Sequence, residues 1–458
     1  LAHVVLPAAG WAEKDGTVTN SERRISRQRA FRAAPGQARP DWWMFAEVAR
    51  RMGWGDAFAW RGPAGIFREH AALSAFENDG ARVFDLGGLA DIDDAAYDAL
   101  APLQWPVPRH GSPGPRLFGC GGFPTPAGRA RMLALSPRMA ASAGDFPLTL
   151  NTGRTRDQWH TMTRTGRVAR LMAHAGVPTL TLHPQDAAAC AATHGALVRV
   201  ESRHGALVTR AAIDDSVRPG DVFATMHWTD QFSSSGPIDR LVHALTDPAA
   251  GQPDLKGTPV RVSAVTEYWR GTLLRLDGDD PALGPSAWWA KAPLENGYSF
   301  ELAGWIALAE EIHAEGKLRK LLQIPADAEL LTYSDPRKAI FRYAGIVRGR
   351  LAACLFLGPP GADLTGIVLA RPLLGRELPA AERVTLLAGV SVTGAAPAGR
   401  MVCACFSVSE DRIIAAIRDN GLDSPARIGA ALKAGTNCGS CLPEINRLIG
   451  AQAPSVVS

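Results

Sequence analysis

Between residues 127 and 270 the chain is broken into short apolar runs: ARMLAL, PLTLNTG, TLTLHPQDA, LVRVESRHGALVTRAAI, DVFATMHW and TPVRVSAV. Each is stopped by Gly, Pro, Asp, His or Arg within a few residues, which is the punctuation of strands, not helices. A short strand leaves a row of unpaired backbone groups on each edge, and many such strands in succession are satisfied by closing into a barrel. LVRV-ESRHG-ALVTRA reads as a hairpin, and VRPGDVF as a turn feeding a strand. Two helices interrupt the series, at 165–174 and at 184–193, the second with Pro184 at its first position.

The flanks read differently. HVVLP opens as a strand, followed by the polar, turn-rich EKDGTVTNSERRISRQR. DWWMFAEVARRM, 41–52, has helical spacing with Asp41 as its cap, and IFREHAALSAF, 66–76, is a second helix. A Pro- and Gly-rich connector spans 102–126. Residues 297–324 read as helical, 338–358 mix strand and helix signals, and 393–400 (TGAAPAGR) reads as a linker. The last unit, 401–450, holds two helical stretches, SEDRIIAAIRDN and PARIGAALKAG, the second stopping at Gly435.

These readings predict a multidomain α+β protein with units at 1–125, 126–275, 276–400 (without an assignable role) and 401–450. The net charge of +4 among 458 residues is too small to suggest nucleic acid as a partner. No apolar run approaches the length of a membrane span, and the start lacks the basic and apolar regions of a secretory signal, so a cytoplasmic location is expected. The first residue is not Met, and VVLP reads as a strand already under way, so the chain is expected to be part of a longer protein.

Seven cysteines are an odd number and argue against a fully paired disulfide framework. Four lie within 39 residues, as Cys403-x-Cys405 and, 32 residues on, Cys438-x-x-Cys441. Four thiolates can hold zinc or an iron–sulfur cluster; a disulfide pair or inert buried thiols are the alternatives. CGSCLPEI opens a helix, whose positive end favours thiolates. The unit resembles the bacterioferritin-associated-ferredoxin-like (BFD-like) [2Fe-2S] domain in its CxC…CxxC order and short intervening helices. That resemblance implies one [2Fe-2S] cluster on Cys403, Cys405, Cys438 and Cys441. Cys120, Cys190 and Cys354 fall outside the motif and are expected to be small core residues.

The other chemistry-bearing stretch is NTGRTRDQWHTMTRTG, 151–166. A strand ending in Thr152-Gly153 lets backbone amides approach a ligand. Arg154, Arg156 and Arg164 can pair with phosphate oxygens, and Trp159 and His160 add a flat face and a ring donor or acceptor. The alternative is a solvated loop whose charge is balanced by Asp157. The stretch resembles the pterin-binding segment of the molybdopterin oxidoreductases, and in its fuller form that of bacterial assimilatory nitrate reductases.

By that resemblance the barrel is a six-stranded double-psi barrel binding bis-molybdopterin guanine dinucleotide, preceded by the tail of an α/β molybdopterin-binding domain. Cofactor contacts are implied for Asn151, Thr152, Gly153, Arg154, Arg156, Trp159, His160 and Thr161. HPQDA adds Asp186, whose other reading is first-turn charge of a helix, and FATMHWTD adds His227 and Trp228. In PIDRLVHALTDPAAGQPDLK the family's Asn is missing, while Gln252 and Lys256 remain recognisable. LPAAGWAEKDGTVTNSERRISRQR, 6–29, resembles the end of the large cofactor domain, giving Glu13, Asn20 and Arg23 as substrate-side candidates, with a turn held by surface ion pairs as the other reading.

The implied reaction is two-electron reduction of nitrate to nitrite by oxygen-atom transfer, with electrons from ferredoxin or an NADH-dependent flavoprotein relayed through iron–sulfur clusters. The family's [4Fe-4S] motif and its molybdenum ligand are absent from this sequence and are expected in the preceding part. Formate dehydrogenase chemistry, or a non-catalytic electron-transfer module, are the alternatives.

Overall fold

The computed structural model describes residues 2–111, 116–119, 121–134, 144–248, 250–308, 312, 316–388 and 399–452. Cys120 and most of the expected linker 393–400 lie outside them. The chain divides into two compact units, 1–137 and 138–458, each described by itself.

In the first unit, β1 (Gly16–Thr19) and β2 (Arg24–Gln28) form an antiparallel hairpin, extended by β3 (Leu103–Gln104). Helices α1 (Asp41–Arg51), α2 (Pro63–Ala75) and α3 (Asp94–Asp98) complete it. Ile25, Phe67, Ala71, Leu86 and Tyr97 make its core. Asp41 does not cap α1: Pro40 occupies the cap position, and Asp41 forms an ion pair with Lys14 at 2.7 Å. The expected strand in HVVLP is absent. Val4, Val5 and Leu6 are exposed, and beside them only Ala8 makes a bridge, to Arg39.

The second unit begins with the barrel. Strands β4 (Leu148–Gly153), β5 (Thr179–Leu182), β6 (Leu197–Glu201), β7 (Ala206–Ile213), β8 (Asp221–Thr225) and β9 (Lys256–Ala264) close in the order β4-β8-β5-β7-β6-β9. The β4/β8 and β5/β7 pairs are parallel and the other four antiparallel. Alternation puts Leu150, Leu180, Leu182, Val198, Val200, Val222 and Val260 in a dry interior. The first and last strands are neighbours, with Leu148 opposite Val260. Of ARMLAL, residues 130–134 are described, and they are exposed and form no strand.

The helix expected at 165–174 is broken at Val168, whose extended backbone separates a 3-10 turn (165–167) from α4 (Ala169–Met172). Helix α5 (Pro184–Ala189) starts where Pro184 places it, and the His183 ring caps it by accepting from the Gln185 amide at 3.2 Å. It stops short of 193 because Ala191 turns left-handed (φ +55°).

Beyond the barrel lies an antiparallel six-stranded sheet: β10 (Trp269–Arg275), β11 (Ala287–Leu294), β12 (Gly297–Gly304), β13 (Glu329–Asp335), β14 (Ile340–Val347) and β15 (Arg350–Gly358). Helix α6 (Lys317–Leu322) covers one face, while a 3-10 segment (365–373) and α7 (Ala380–Ala388) cover the other. The helical expectation over 297–324 fails at its start, where GYSFELAG is β12. With both faces covered, strands such as LAACLFL carry continuous apolar runs instead of alternation, and a period of two cannot be read from them.

The chain ends in a small cysteine-bearing subdomain: β16 (Met401–Cys403), β17 (Val408–Ser409), α8 (Glu410–Asn420), α9 (Pro425–Leu432) and α10 (Leu442–Gln452) around Val402, Ile413, Ile428, Ile445 and Leu448. Helix α9 ends through Lys433 in left-handed conformation. At Gly435 (φ +83°) a Cβ would meet Leu442 at 2.6 Å, so glycine lets α10 pack over the turn. Among the described residues no helix is long and apolar enough to cross a membrane.

Candidate cofactor loop and thiol centre

Because β4 and β8 are parallel, the segments after Gly153 and Thr225 leave the same rim of the barrel. His227 fastens them together. It is fully buried, its Nε2 accepts from the Thr155 amide at 3.0 Å, and its Nδ1 donates to the His160 carbonyl. This pattern requires the neutral ring with hydrogen on Nδ1. Burial first, and then the Arg154 guanidinium and the adjoining His160 ring, hold its pKa below the ordinary histidine value despite the bond to the His160 carbonyl.

Trp228 packs beneath the loop against Met162, Met172 and Phe232. Thr152 is buried and its hydroxyl donates to the Leu255 carbonyl at 3.0 Å. At Gly153 a Cβ would lie 2.5 Å from the Phe223 ring, so glycine lets that ring cross the strand end.

On this frame the loop raises an exposed face. The Arg154 guanidinium lies 5.6 Å from the centroid of Trp159, and the Trp159 and His160 rings meet edge to face at 4.7 Å. Trp159 is 54% exposed, and Thr161 beside it is also exposed. His160 and Met162 both take left-handed backbone, which makes the tight bend. Thr155 Oγ1 and Trp228 Nε1 are buried without a hydrogen-bond partner in the structure, two polar atoms at the loop's base that a ligand can satisfy. A cation stacked on an exposed aromatic face suits a flat, phosphorylated heterocycle.

The other sequence candidates disperse around this face. Asn151 lines a separate cavity of ≈ 430 Å³ with Thr181, Asp214, Arg218, Asp221 and Phe223. Asp186 accepts from the Gly220 amide at 2.8 Å, tying α5 to the turn before β8. Lys256 opens β9 opposite Asn151, and Gln252 sits in an exposed turn where its carbonyl accepts from the Asp247 amide.

In the first unit, Glu13 accepts from the Gly10 amide at 2.8 Å. The Asn20 side chain accepts from the Glu22 and Arg24 amides, organising the β1–β2 turn. Arg23 donates to the Trp105 carbonyl and stacks on its ring at 5.3 Å. These three hold local structure.

Arg156 points away from the exposed face, into the cysteine subdomain. It pairs with Asp157 at 3.2 Å and Glu444 at 3.0 Å, and donates to the carbonyls of Val402 and Ser440. His174 joins the group, at 2.8 Å from Asp157 and 3.6 Å from Glu444, and Arg400 also pairs with Glu444. The sequence reading missed this network, whose members lie far apart in the chain; the only local signal was Asp157 beside an arginine.

Burial alone would raise Glu444, but His174, Arg400 and Arg156 hold it at about 2. Burial likewise opposes the shift of Asp157, which its His174 and Arg156 partners hold below the ordinary carboxylate value. Burial would lower His174, yet the carboxylates of Asp157 and Glu444 beside it raise it. The carboxylates therefore stabilise the contact above their unfolded pKa values, and that contribution is lost as pH falls through the folded ones. His174 contributes fully below about 6.5 and loses its contribution as pH rises through its raised value. Proteolysis of the full-length protein is expected to release the cysteine subdomain more slowly at mildly acidic pH than at alkaline pH. Equal release rates would remove His174 from the contact.

The four motif thiols stand in that subdomain as two pairs. Cys405 and Cys438 are 3.4 Å apart, well beyond the S–S bond, and Cys403 adjoins Cys441. Cys403 and Cys441 are buried, Cys438 exposed. Burial and the neighbouring Cys403 push Cys441 up to about 11, while bonds from Ser440 lower Cys438. Two thiol pairs, unbonded and close, match the donor set of a dinuclear iron centre. Among the described residues no three His, Cys, Asp or Glu side chains gather tightly enough to hold a single metal ion.

Comparison with known proteins follows the same division. Residues 148–259 match the Molydopterin dinucleotide binding domain, 401–451 the BFD-like [2Fe-2S] binding domain, and 1–51 the Molybdopterin oxidoreductase family. A nitrate reductase of Klebsiella oxytoca is 40% identical, over 98% of this chain and 50% of its own. One of Shewanella frigidimarina is 41% identical over 60% of this chain and 32% of its own. The F420-dependent formate dehydrogenase subunit alpha of Methanocaldococcus jannaschii is 30% identical over 58% of this chain and 37% of its own. The chain thus spans half the length of the Klebsiella protein and about a third of the other two.

Proposed function

From a chain that belongs to the molybdopterin oxidoreductase family and carries a BFD-like [2Fe-2S] binding domain, we propose the C-terminal portion of a cytoplasmic assimilatory nitrate reductase. The reaction is nitrate plus two electrons and two protons giving nitrite and water. The observation that carries this reading is 40% identity to a nitrate reductase across 98% of the chain, from the first unit through the barrel and the cysteine subdomain.

The barrel, with its two parallel strand pairs, is read as a double-psi barrel holding bis-molybdopterin guanine dinucleotide. When bound, the molybdenum of that cofactor supplies the oxygen-atom transfer. The chain's own residues bind and orient it. Arg154 offers a forked cation to a phosphate, Trp159 and His160 offer a flat face, and Thr161 a hydroxyl. Thr152, Gly153, His227 and Trp228 fix the loop that carries them. Asn151, Asp186, Gln252 and Lys256, which are spread away from that exposed face, are assigned secondary contacts only.

Cys403, Cys405, Cys438 and Cys441 would hold the [2Fe-2S] cluster, which would supply one-electron transfer from a donor such as ferredoxin or an NADH-dependent flavoprotein. A [4Fe-4S] cluster and the molybdenum ligand belong to the preceding half of the protein. Glu13, Asn20 and Arg23 keep the fold of the segment nearest that half, and their part in substrate approach is indirect.

The test uses the full-length holoprotein with a reduced viologen dye. Nitrite formed from nitrate is the expected result. Formate oxidation coupled to an acceptor dye, with no nitrite from nitrate, would replace this reading with the formate dehydrogenase one.

A further inference from the structure

We propose that Arg156 is a positioning residue for the [2Fe-2S] cluster, fixing the cysteine subdomain on the cofactor loop and setting the cluster's reduction potential. The proposal rests on the four-cysteine reading above and is independent of which substrate the enzyme takes.

The sequence grouped Arg156 with Arg154 as cations of one loop, yet the structure gives them opposite duties. Arg154 lies over the exposed Trp159 ring. The Arg156 side chain, only 18% exposed, crosses to the subdomain. There it donates to the carbonyl of Val402, the residue before Cys403, and lies 3.5 Å from that of Ser440, between Cys438 and Cys441. One guanidinium thus touches both ligand-bearing segments, while its pairing with Glu444 anchors it to α10 at 3.0 Å. Only a planar fork with five donors can serve two carboxylates and two carbonyls at once; a lysine ammonium has three donors and no such spread.

Two consequences follow from charge and connectivity. Reducing the cluster by one electron adds a negative charge, and a fixed cation beside the ligand segments favours that state, so Arg156 raises the potential. The same loop bears Trp159 and His160 three and four residues further on. The ligand segments and the exposed aromatic face are therefore held by one short stretch of backbone, clamped at its other side by His227.

The experiment measures the midpoint potential of the [2Fe-2S] signal by paramagnetic resonance in the full-length holoprotein, with iron and sulfide content determined alongside. Arg156→Gln is expected to retain the cluster at a lower potential, and Arg156→Lys to fall between it and the parent. A loaded Arg156→Gln protein with the parental potential overturns the proposal. If Arg156→Gln takes up no iron, Arg156→Lys decides, because a cation moved off the Val402 carbonyl must still lower the potential; a loaded Lys variant at the parental value overturns it. Loss of iron from both variants makes Arg156 a folding residue only and overturns it too. A parent protein without any [2Fe-2S] signal would instead sink the cluster assignment itself.

Discussion

Cys441→Ser in the full-length protein is expected to abolish the [2Fe-2S] absorption and paramagnetic signals and to make residues 401–452 sensitive to protease. Cys441 is 3% exposed and sits in the core formed by Val402, Ile413, Ile428 and Ile445. A unit of some fifty residues buries too little apolar surface to be secure alone, and such small domains lean on a metal centre or other cross-link. Without metal, two buried thiols face each other and Cys441 is held protonated, near 11. Metal binding replaces those protons and joins the β16 segment to the start of α10, so ligation and folding are one equilibrium. Cys405→Ser should also lose the signals but disturb the apolar core less, since Cys405 is only half-buried. A Cys441→Ser protein with its full iron and sulfide complement would refute the ligand assignment.

His227→Ala is expected to strip the full-length protein of most of its molybdenum while leaving the barrel folded. The ring satisfies the Thr155 amide and the His160 carbonyl in a fully buried site. Removing it leaves both without their partner and opens a void beneath the loop. Each unsatisfied buried group costs about 1–3 kcal/mol, and each 1.4 kcal/mol is a factor of about ten in retention. The two groups together cost about 2–6 kcal/mol, so a loss of roughly thirtyfold or more in cofactor affinity is expected where the loop gives way. Arg154→Ala serves as the comparison, since its side chain is exposed and its removal leaves the frame intact. Its molybdenum loss should depend on salt, as expected for a cation on phosphate, whereas that of His227→Ala should not. Unchanged molybdenum content in His227→Ala would show that the clamp does not govern the site.

What the sequence made legible and what it hid have physical causes. The barrel strands announced themselves through turn residues and, in β5, an alternation with Leu180 and Leu182 inward. Helix α5 was marked by Pro184, though its cap by the His183 ring was not foreseen. The sheet from β10 to β15 was obscured because LAACLFL and its neighbours are buried on both faces. In the loop, residue types indicated an anionic, flat ligand, but not which cation would face it. Arg154 and Arg156 differ by two positions and diverge, and the partner that turns Arg156 away, Glu444, is 288 positions distant (444 − 156). Asp186 stands in the first turn of α5 and accepts from the Gly220 amide, a contact across 34 positions that residue types alone do not announce. Glu13, Asn20 and Arg23 bond to the Gly10 amide, to the Glu22 and Arg24 amides and to Trp105, where the other reading expected surface ion pairs.

The pairing of β4 with β9 bears on how such a chain can be rearranged. The barrel's entering and leaving strands are hydrogen-bonded neighbours, with Leu148 opposite Val260, so its two chain connections depart along one strand pair. A circular permutation that joins residues 264 and 148 through a short loop and opens the chain elsewhere therefore keeps every strand pair of the barrel.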